Sequence, residues 1–539
     1  MHAAHDAVIR GGTVYDGSGT PPFDADVAID GDRIAAIGKV AGRGRTELDA
    51  GGLAVAPGFI NMLSWATTSL IADGRSQSDI RQGVTLEVFG EGWSLGPVND
   101  TMRREQIEQQ GDIKYDIGWT TLAEALDTIA ARGISPNIAS FVGAATVRIY
   151  ELAHEDRRPT ADELGRMRAL VESAMREGAL GLGSALIYSP ATYADTDELV
   201  ALAEVAGRDG GMYISHMRSE GNRLVEAVDE VIEIARRAKL PAEIYHLKQA
   251  GRSNWTKLDA VIDRVERARA DGLAITADMY PYEAGATGLS SCFPPWAHEG
   301  GLRATLARLR DGGQRARIRD EMERPGTDWE NLYEAAGTPE GIVLVSFKNE
   351  RLKPLTGRTL GQVASQRGAD PRDVAMDLVL EDESRVGMVI FMASPENLRQ
   401  EVALPWMSFG SDAGSIAPEG VFLLSQPHPR TYGTFARVLG RFVRDEKAAP
   451  LEDVIRRMTG FPAANLKLDR RGLLRAGNFA DVAVFDPATI SDHATYAEPH
   501  RYATGVAHVL VNGTAVLRDG EHTGARPGRV VFGPARQHS

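Results

Sequence analysis

Between about residue 57 and the 440s, short runs of β-branched and apolar residues alternate with stretches of helical periodicity. One such stretch, residues 162–177, carries Leu164, Met167 and Val171 at helical spacing. Strands that alternate with helices form a parallel sheet, and eight of them close a (β/α)8 barrel, so we predict an α/β fold of that type. The eight predicted strands are residues 85–89, 138–142, 212–215, 243–245, 275–277, 343–346, 389–392 and 407–410.

Both ends of the chain differ from this middle part. Residues 7–10 and 26–29 near the start, and 480–485 and 508–511 near the end, are apolar runs that Gly and Asp close at turn spacing. We therefore expect one small β-sandwich built from both termini. The predicted boundaries are 1–56 and 465–539 for the sandwich and 57–464 for the barrel, with an insertion around 289–340 that is a candidate lid.

The composition argues against several classes of partner. With 60 Lys and Arg against 74 Asp and Glu, the net charge of −14 gives no electrostatic support for binding nucleic acid or an acidic membrane. The single cysteine, Cys292, excludes an internal disulfide and fits a reducing compartment. No signal peptide is readable, and no stretch approaches the ~20 apolar residues of a membrane span. We expect a cytoplasmic enzyme, and the sequence is compatible with a homo-oligomer.

Four polar residues follow apolar strands directly. His216 and His246 come about one βα unit apart, Asp412 follows the last predicted strand, and Glu91 follows the first. A hydrogen-bonded strand end explains any one of them, but a barrel places all four on one rim, where active groups lie. Two imidazoles and one carboxylate form a catalytic zinc set that leaves a position open for water. A nearby second carboxylate could accept the proton of that water.

With these residues in place, the chain resembles the D-aminoacylase (N-acyl-D-amino-acid deacylase) family of the amidohydrolase superfamily. The resemblance covers nearly the whole chain, and the ordered set of motifs is far more specific than any one of them. The matching pieces are Gly-Val-Thr from Gly83, Gly-Glu-Gly-Trp-Ser-Leu-Gly-Pro from Gly90, Gly-Leu-Gly-Ser from Gly181, Ser-His-Met-Arg-Ser-Glu from Ser215, His-Leu-Lys from His246, Asp-Met-Tyr-Pro-Tyr from Asp278, Gly-Ser-Asp-Ala from Gly410, His-Pro-Arg from His428 and Ala-Gly-Asn-Phe-Ala-Asp-Val from Ala476.

The resemblance implies a role for each position that matches the motifs. His216 and His246 correspond to the histidines of the family's tightly held zinc, and Glu91 stands where the family has a zinc-binding cysteine. Asp412 corresponds to the catalytic aspartate. The resemblance implies that Lys248, Tyr280 and Arg430 bind the carboxylate of the substrate. A serine of the same binding site in the family is Ala286 in this chain.

One motif departs from the superfamily pattern. After Pro-Gly-Phe-Ile, the superfamily strand ends in Asp-x-His-x-His, whose imidazoles bind a divalent metal, whereas this chain has Asn61, Leu63 and Trp65. Neither Leu nor the Trp N–H offers a lone pair to a cation. The resemblance therefore implies a single Zn²⁺ per chain, held by the other donor set.

The residues and the resemblance together predict a zinc-dependent hydrolase of an amide C–N bond. The resemblance implies deacylation of a small N-acyl (D-)amino acid with a free carboxylate, by metal-activated water with Asp412 as general base. Two alternatives stay open at this point. One is a hydrolase of cyclic or other small amides with the same metal site, and the other is a binding protein without activity. A further alternative treats Lys248 and Arg430 as ordinary surface charges.

Overall fold

The computed structural model describes residues 4–326 and 328–537. In chain order, the strands of these residues are β1 (His5–Val14), β2 (Phe23–Asp30), β3 (Arg33–Gly38), β4 (Gly44–Asp49), β5 (Ala54–Pro57), β6 (Phe59–Asn61), β7 (Val84–Phe89), β8 (Asn137–Ser140), β9 (Val142–Gly143), β10 (Gly181–Ala185), β11 (Met212–His216), β12 (Ala242–Ile244), β13 (Ile275–Met279), β14 (Ala284–Gly288), β15 (Ile342–Ser346), β16 (Gly387–Phe391), β17 (Met407–Phe409), β18 (Val482–Phe485), β19 (Val506–Val511), β20 (Thr514–Arg518) and β21 (Glu521–His522).

The α-helices of the same residues are α1 (Thr67–Ala72), α2 (Gln77–Ile80), α3 (Asp100–Gln109), α4 (Leu122–Ala131), α5 (Ala144–Leu152), α6 (Ala161–Glu177), α7 (Thr196–Arg208), α8 (Leu224–Ala238), α9 (Leu258–Ala270), α10 (Gly301–Arg310), α11 (Gly312–Met322), α12 (Leu332–Ala335), α13 (Leu360–Arg367), α14 (Pro371–Asp382), α15 (Pro395–Ala403), α16 (Arg430–Arg437), α17 (Leu451–Met458), α18 (Gly460–Asn465) and α19 (Pro534–Gln537).

The central part of the chain is a parallel barrel. Strands β6, β7 and β8 pair in sequence, and β9, β10, β11, β12, β13 and β17 continue the order. Backbone hydrogen bonds join the two arcs, from Leu180 N to Ser140 O at 2.9 Å on one side and from Met62 N to Phe409 O at 3.2 Å on the other. This architecture, with helices between successive strands, confirms the predicted barrel.

Two of the eight predicted strands were assigned wrongly. Residues 343–346 and 389–392 belong to β15 and β16, which pair antiparallel in a three-stranded sheet with β14. The barrel uses β6 and β10 in their place. The two runs were misassigned because an apolar run has the same composition in a barrel strand and in an antiparallel strand. Strand β10, Gly-Leu-Gly-Ser-Ala, was missed because it lacks the β-branched residues that are typical of strands.

Strands from the two ends of the chain meet in one sheet. Among the described residues, β1 to β5 and β18 to β21 form a nine-stranded sheet, in which β18 pairs antiparallel with β5. The side chains of Val27, Ile29, Val55, Val482 and Leu510 pack together in an apolar cluster of this sheet. The N-terminal strands are therefore tied to the C-terminal ones by both hydrogen bonds and apolar packing.

The segment between β13 and β17 carries the three-stranded sheet and helices α10 to α14. It has an apolar core of its own, in which Cys292, Ile318, Leu344, Met376 and Ile390 are buried. Its strands β14 and β16 contribute side chains to the cavity at the end of the barrel. None of the described helices is both long enough and apolar enough to span a lipid bilayer.

Candidate metal centre and active site

The four polar residues predicted from strand ends come together at one end of the barrel. Glu91 follows β7, His216 ends β11, His246 lies two residues beyond β12, and Asp412 lies three residues beyond β17. All of these parallel strands point the same way, so their carboxyl ends share one rim. The side chains of Glu91, His216 and His246 are nearly inaccessible to solvent.

Two glycines decide where the Glu91 side chain lies. Gly90 and Gly92 have φ angles of +108° and +70°, in the region that L side chains rarely adopt. A Cβ at position 90 would lie 2.5 Å from the Phe141 carbonyl oxygen, and one at position 92 would lie 2.6 Å from the Ala185 Cβ. The Gly-Glu-Gly sequence therefore lets the chain turn closely against neighbouring strands with Glu91 directed into the barrel mouth.

Glu91 and the two histidines converge through specific atoms. The Glu91 Oε1 lies 2.9 Å from the Nδ1 of His216 and 2.9 Å from the Nε2 of His246. One donor atom from each residue falls within 4.8 Å of the other two. Burial would raise the pKa of Glu91, but the charges and hydrogen bonds of the two imidazoles hold it below its ordinary value. Two nitrogens and one ionised oxygen, all buried, are a donor set that fits Zn²⁺.

A second carboxylate, Glu220, lies behind both imidazoles, and sequence reasoning missed its role. Its Oε1 is 3.0 Å from the Nδ1 of His246, and its Oε2 is 3.6 Å from the Nε2 of His216. Metal-bound imidazoles usually direct their other N–H at a carboxylate or carbonyl, which fixes the ring and its tautomer. Glu220 occupies that position for His246. The signal was present, because Glu220 is the last residue of the Ser-His-Met-Arg-Ser-Glu motif.

The backbone is strained at two of the site residues. His246 has a φ of +35° and Asp412 a φ of +49°, both unusual for residues other than glycine. The His246 amide donates a 2.8 Å hydrogen bond to Asp278 Oδ1, and the Asp412 amide donates one of 2.8 Å to the Leu63 carbonyl. Such conformations persist where surrounding contacts hold them, and they are concentrated at functional sites.

Asp412 lies between an arginine and an indole. Its Oδ2 is 2.8 Å from the Nη1 of Arg430, and its Oδ1 accepts a 3.1 Å hydrogen bond from the Trp65 Nε1. Burial raises the pKa of the Asp412 carboxyl, and the charge of Arg430 opposes that rise. A carboxylate placed at the mouth of the barrel beside a metal donor set is suited to accept a proton.

The two predicted cations are buried, so the surface-charge alternative is wrong. Lys248 and Arg430 have 4% and 3% of their surface exposed. The Lys248 Nζ lies 2.6 Å from Glu220 Oε1 and 2.7 Å from the Nδ1 of His246. The Arg430 guanidinium stacks over the Tyr280 ring, with Cζ 4.4 Å from the ring centroid. Lys248 is thus neutralised by a carboxylate that shares its pocket.

Arg430 keeps hydrogen-bonding capacity that the described residues do not use. Its Nη2 reaches the Ala286 carbonyl at 3.5 Å. Its Nε and Nη1 are buried, and among residues 4–326 and 328–537 neither makes a hydrogen bond, although Nη1 is in ion-pair contact with Asp412. Buried donors without an acceptor are costly, so this edge of the guanidinium is suited to an anionic ligand.

A cavity of about 550 Å³ joins these groups. Glu91, both histidines, Asp412 and Arg430 form its polar end, and apolar side chains from the three-stranded sheet, among them Met388 and Ile390, form another wall. A volume of several hundred Å³ with a few convergent polar groups is typical of a small-molecule site. The structure therefore brings all seven predicted site residues to one cavity.

Comparison with known proteins identifies the family of this chain. A model of the amidohydrolase family matches residues 46–517. The chain belongs to the amidohydrolase family. The D-aminoacylase of Alcaligenes xylosoxydans xylosoxydans is 34% identical over 534 residues, covering 98% of this chain and 97% of that protein. This result confirms the resemblance drawn from the motifs.

Two solved structures of amidohydrolases agree over nearly the whole length. A D-aminoacylase, described as having a binuclear metal centre with one-metal activation and second-metal attenuation, superposes with a TM-score of 0.80 at 31% identity, covering 98% of this chain and all of that one. The N-acyl-D-glutamate deacylase of Bordetella bronchiseptica, in complex with zinc and a phosphonate mimic of the tetrahedral intermediate, gives 0.79 at 29% identity, covering 98% and 99%. This chain is accordingly a metal-dependent amidohydrolase, an enzyme that hydrolyses C–N bonds, and the alternative of an inactive binding protein is set aside.

Proposed function

We propose that this amidohydrolase removes the acyl group from N-acyl-D-amino acids with a single zinc ion. The donor set supports zinc, because Glu91 Oε1 faces one nitrogen of each imidazole while Glu220 faces the opposite nitrogen of His246. The D configuration is taken from the D-aminoacylase and the N-acyl-D-glutamate deacylase that the chain matches along its length.

Each group of the site has a separate role in the proposed reaction. When bound, zinc supplies Lewis acidity to the scissile carbonyl and lowers the pKa of an attacking water to about 7. Asp412 would accept a proton from the attacking water and return it to the amide nitrogen as the C–N bond breaks, which yields a carboxylate and a free amine. Glu91, His216 and His246 would hold the metal, and Glu220 would orient the His246 ring.

The observation that carries the substrate assignment is the unsatisfied edge of Arg430. Its buried Nε and Nη1 make no hydrogen bond within the described ranges, and they lie beside the general base. A substrate α-carboxylate fits this edge in both charge and shape. The face of the Tyr280 ring packs against the Arg430 guanidinium and stabilises its positive charge. Lys248, paired with Glu220, lines the same cavity, and its Nζ lies 5.5 Å from the centroid of the Tyr280 ring.

The test compares N-acetyl-D-amino acids with the same compounds whose carboxylate is capped as an amide. We expect the parent enzyme to hydrolyse the free acids far better than the capped forms. At a pH where Asp412 is ionised in both proteins, Arg430→Ala should lower kcat/KM for the free acids about 10- to 100-fold, the value of a charge-assisted contact, and leave the capped forms nearly unchanged. Arg430→Lys, which keeps the charge and loses the planar fork, should fall between the two.

A matched control is Arg399→Ala, because Arg399 is an exposed arginine that pairs with Glu446 outside the cavity. It should behave as the parent. If the parent enzyme treats free and capped substrates equally, and Arg430→Ala changes neither, the acylamino-acid assignment fails. Hydrolysis of cyclic or other small amides by the same metal site would then be the better proposal.

Three further proposals concern the metal count, the cellular location and the oligomeric state. A metal count of one zinc per chain rests on Leu63 and Trp65, which offer no lone pair to a second ion. A cytoplasmic location rests on the buried, unpaired thiol of Cys292, which suits a reducing compartment. Association into a homo-oligomer is compatible with the sequence.

A further inference from the structure

Two residues of this chain stand where the superfamily has a pair of metal-binding histidines. Leu63 is fully buried beneath the site, whereas Trp65 is 39% exposed and lines the cavity. The ring nitrogen of Trp65 lies near Glu91, which follows β7, and near Asp412, which follows β17.

The indole N–H contacts both carboxylates at once. Trp65 Nε1 lies 2.9 Å from Glu91 Oε2 and 3.1 Å from Asp412 Oδ1. Within residues 4–326 and 328–537, no other hydrogen bond reaches either oxygen atom. The remaining oxygens are engaged elsewhere, since Glu91 Oε1 faces the two imidazoles and Asp412 Oδ2 contacts Arg430.

The carboxylates of Glu91 and Asp412 repel each other, and the negative charge of Glu91 adds to the rise in the pKa of Asp412. A hydrogen-bond donor that both carboxylates share offsets part of this repulsion. The indole N–H is a donor without acceptor capacity, so its hydrogen can serve both oxygens without adding a lone pair to the site.

We propose that Trp65 is a positioning residue whose single indole N–H bridges the carboxylates of Glu91 and Asp412. It holds Oε2 of Glu91 and Oδ1 of Asp412 in a fixed relation. Glu91 would then present Oε1, the oxygen that faces the two imidazoles, to the metal, and the Asp412 carboxylate would keep one orientation in the cavity. This inference rests on the proposed function, because it assumes that Asp412 is the base of the hydrolysis.

The test replaces the ring nitrogen while keeping an aromatic ring. Trp65→Phe removes the N–H from a half-exposed position, so the apolar core is untouched. Trp93→Phe is the matched control, because Trp93 lines the same cavity, packs against Tyr188, and makes no hydrogen bond through its indole among the described residues. The first measurement is the rate at which each zinc-loaded protein loses its metal to a chelator.

We expect Trp65→Phe to lose zinc about 10- to 100-fold faster than the parent, as when a group that orients a metal ligand is removed. Trp93→Phe should keep the parent's rate of zinc loss. In turnover, Trp65→Phe should lower kcat about 10- to 100-fold with KM nearly unchanged, because the N–H bonds to catalytic groups and not to substrate.

Trp65→Phe with the parent's zinc lifetime would overturn the proposal, as would a Trp93→Phe variant that loses zinc equally fast. A turnover defect confined to KM would also contradict it, because it would assign Trp65 to substrate binding. The zinc measurement needs no substrate. If the parent proves inactive on every N-acyl amino acid, the proposed function fails while the metal-release rates still decide the role of Trp65 in holding Glu91.

Discussion

The carboxylate of Asp412 and the guanidinium of Arg430 are in direct contact, with Oδ2 and Nη1 2.8 Å apart, and both side chains lie at the same end of the cavity. The proposed base and the proposed carboxylate-binding group are therefore adjacent. A substrate whose carboxylate binds the Nε and Nη1 edge of Arg430, beside this contact, would have its amide bond held close to Asp412. Binding and proton transfer are expected to be linked through this pair.

Asp412→Asn should retain zinc and lose turnover. Asparagine preserves the size of the side chain but cannot accept the proton of water, and loss of a general base typically costs about 10²- to 10⁴-fold in rate. The measurement is kcat on an N-acetyl-D-amino acid together with zinc content. A variant as active as the parent would show that another group is the base.

Glu91→Ala should release the metal. It removes the only ionised donor of the described donor set, so zinc binding should fall sharply, and the purified parent should hold close to one zinc per chain. Elemental analysis after dialysis checks both values. Two tightly bound metals in the parent would contradict the mononuclear proposal, whatever the variant does.

The acid limb of the pH–rate profile should report Asp412. Burial raises the pKa of this carboxyl above its ordinary value of 3.8, and the base must be ionised to act, so kcat/KM should rise with pH through a value higher than 3.8. The positive charge of Arg430 lowers the pKa of Asp412. Arg430→Lys keeps that charge and should leave the acid limb in place. Arg430→Ala removes the charge and should move the acid limb to higher pH. A limb that moves to lower pH in Arg430→Ala would be inconsistent with this assignment.

Glu220→Gln should weaken zinc binding without removing a ligand. The amide keeps the shape but loses the negative charge beside His246, and such changes typically cost about 10- to 100-fold in metal affinity. It also leaves the buried Lys248 without its carboxylate. Competition with a chromogenic chelator measures the affinity. Glu226→Gln, at an exposed position of α8, is the control, and equal affinities in the two variants would exclude a role for Glu220 at the metal.

Much of the fold could be predicted because strand and helix periodicities are local. The alternation in the middle of the chain was sufficient to predict a parallel barrel. The strand order and the hydrogen bonds that join its two arcs confirm that prediction. The assignment failed for residues 343–346 and 389–392, since local composition does not distinguish a barrel strand from a strand of the antiparallel sheet. The sequence prediction also missed β10, because its glycines and small residues have low strand propensity.

The sequence by itself determined which chemical groups this protein can bring to a site. The strand-end positions of Glu91, His216, His246 and Asp412 place them on one rim, because parallel strands of a barrel end at the same face. The absence of lone pairs at Leu63 and Trp65 likewise follows from residue identity alone.

Only the tertiary structure decided which of these groups touch. Trp65 meets Glu91 across 26 residues of chain and Asp412 across 347, because closure of the barrel brings the loops after β6, β7 and β17 together. The contact of Glu220 with His246, and the unused edge of Arg430, depend on side-chain directions in a packed cavity. Local periodicity carries no information about such directions, since they are set by neighbours far away in the chain.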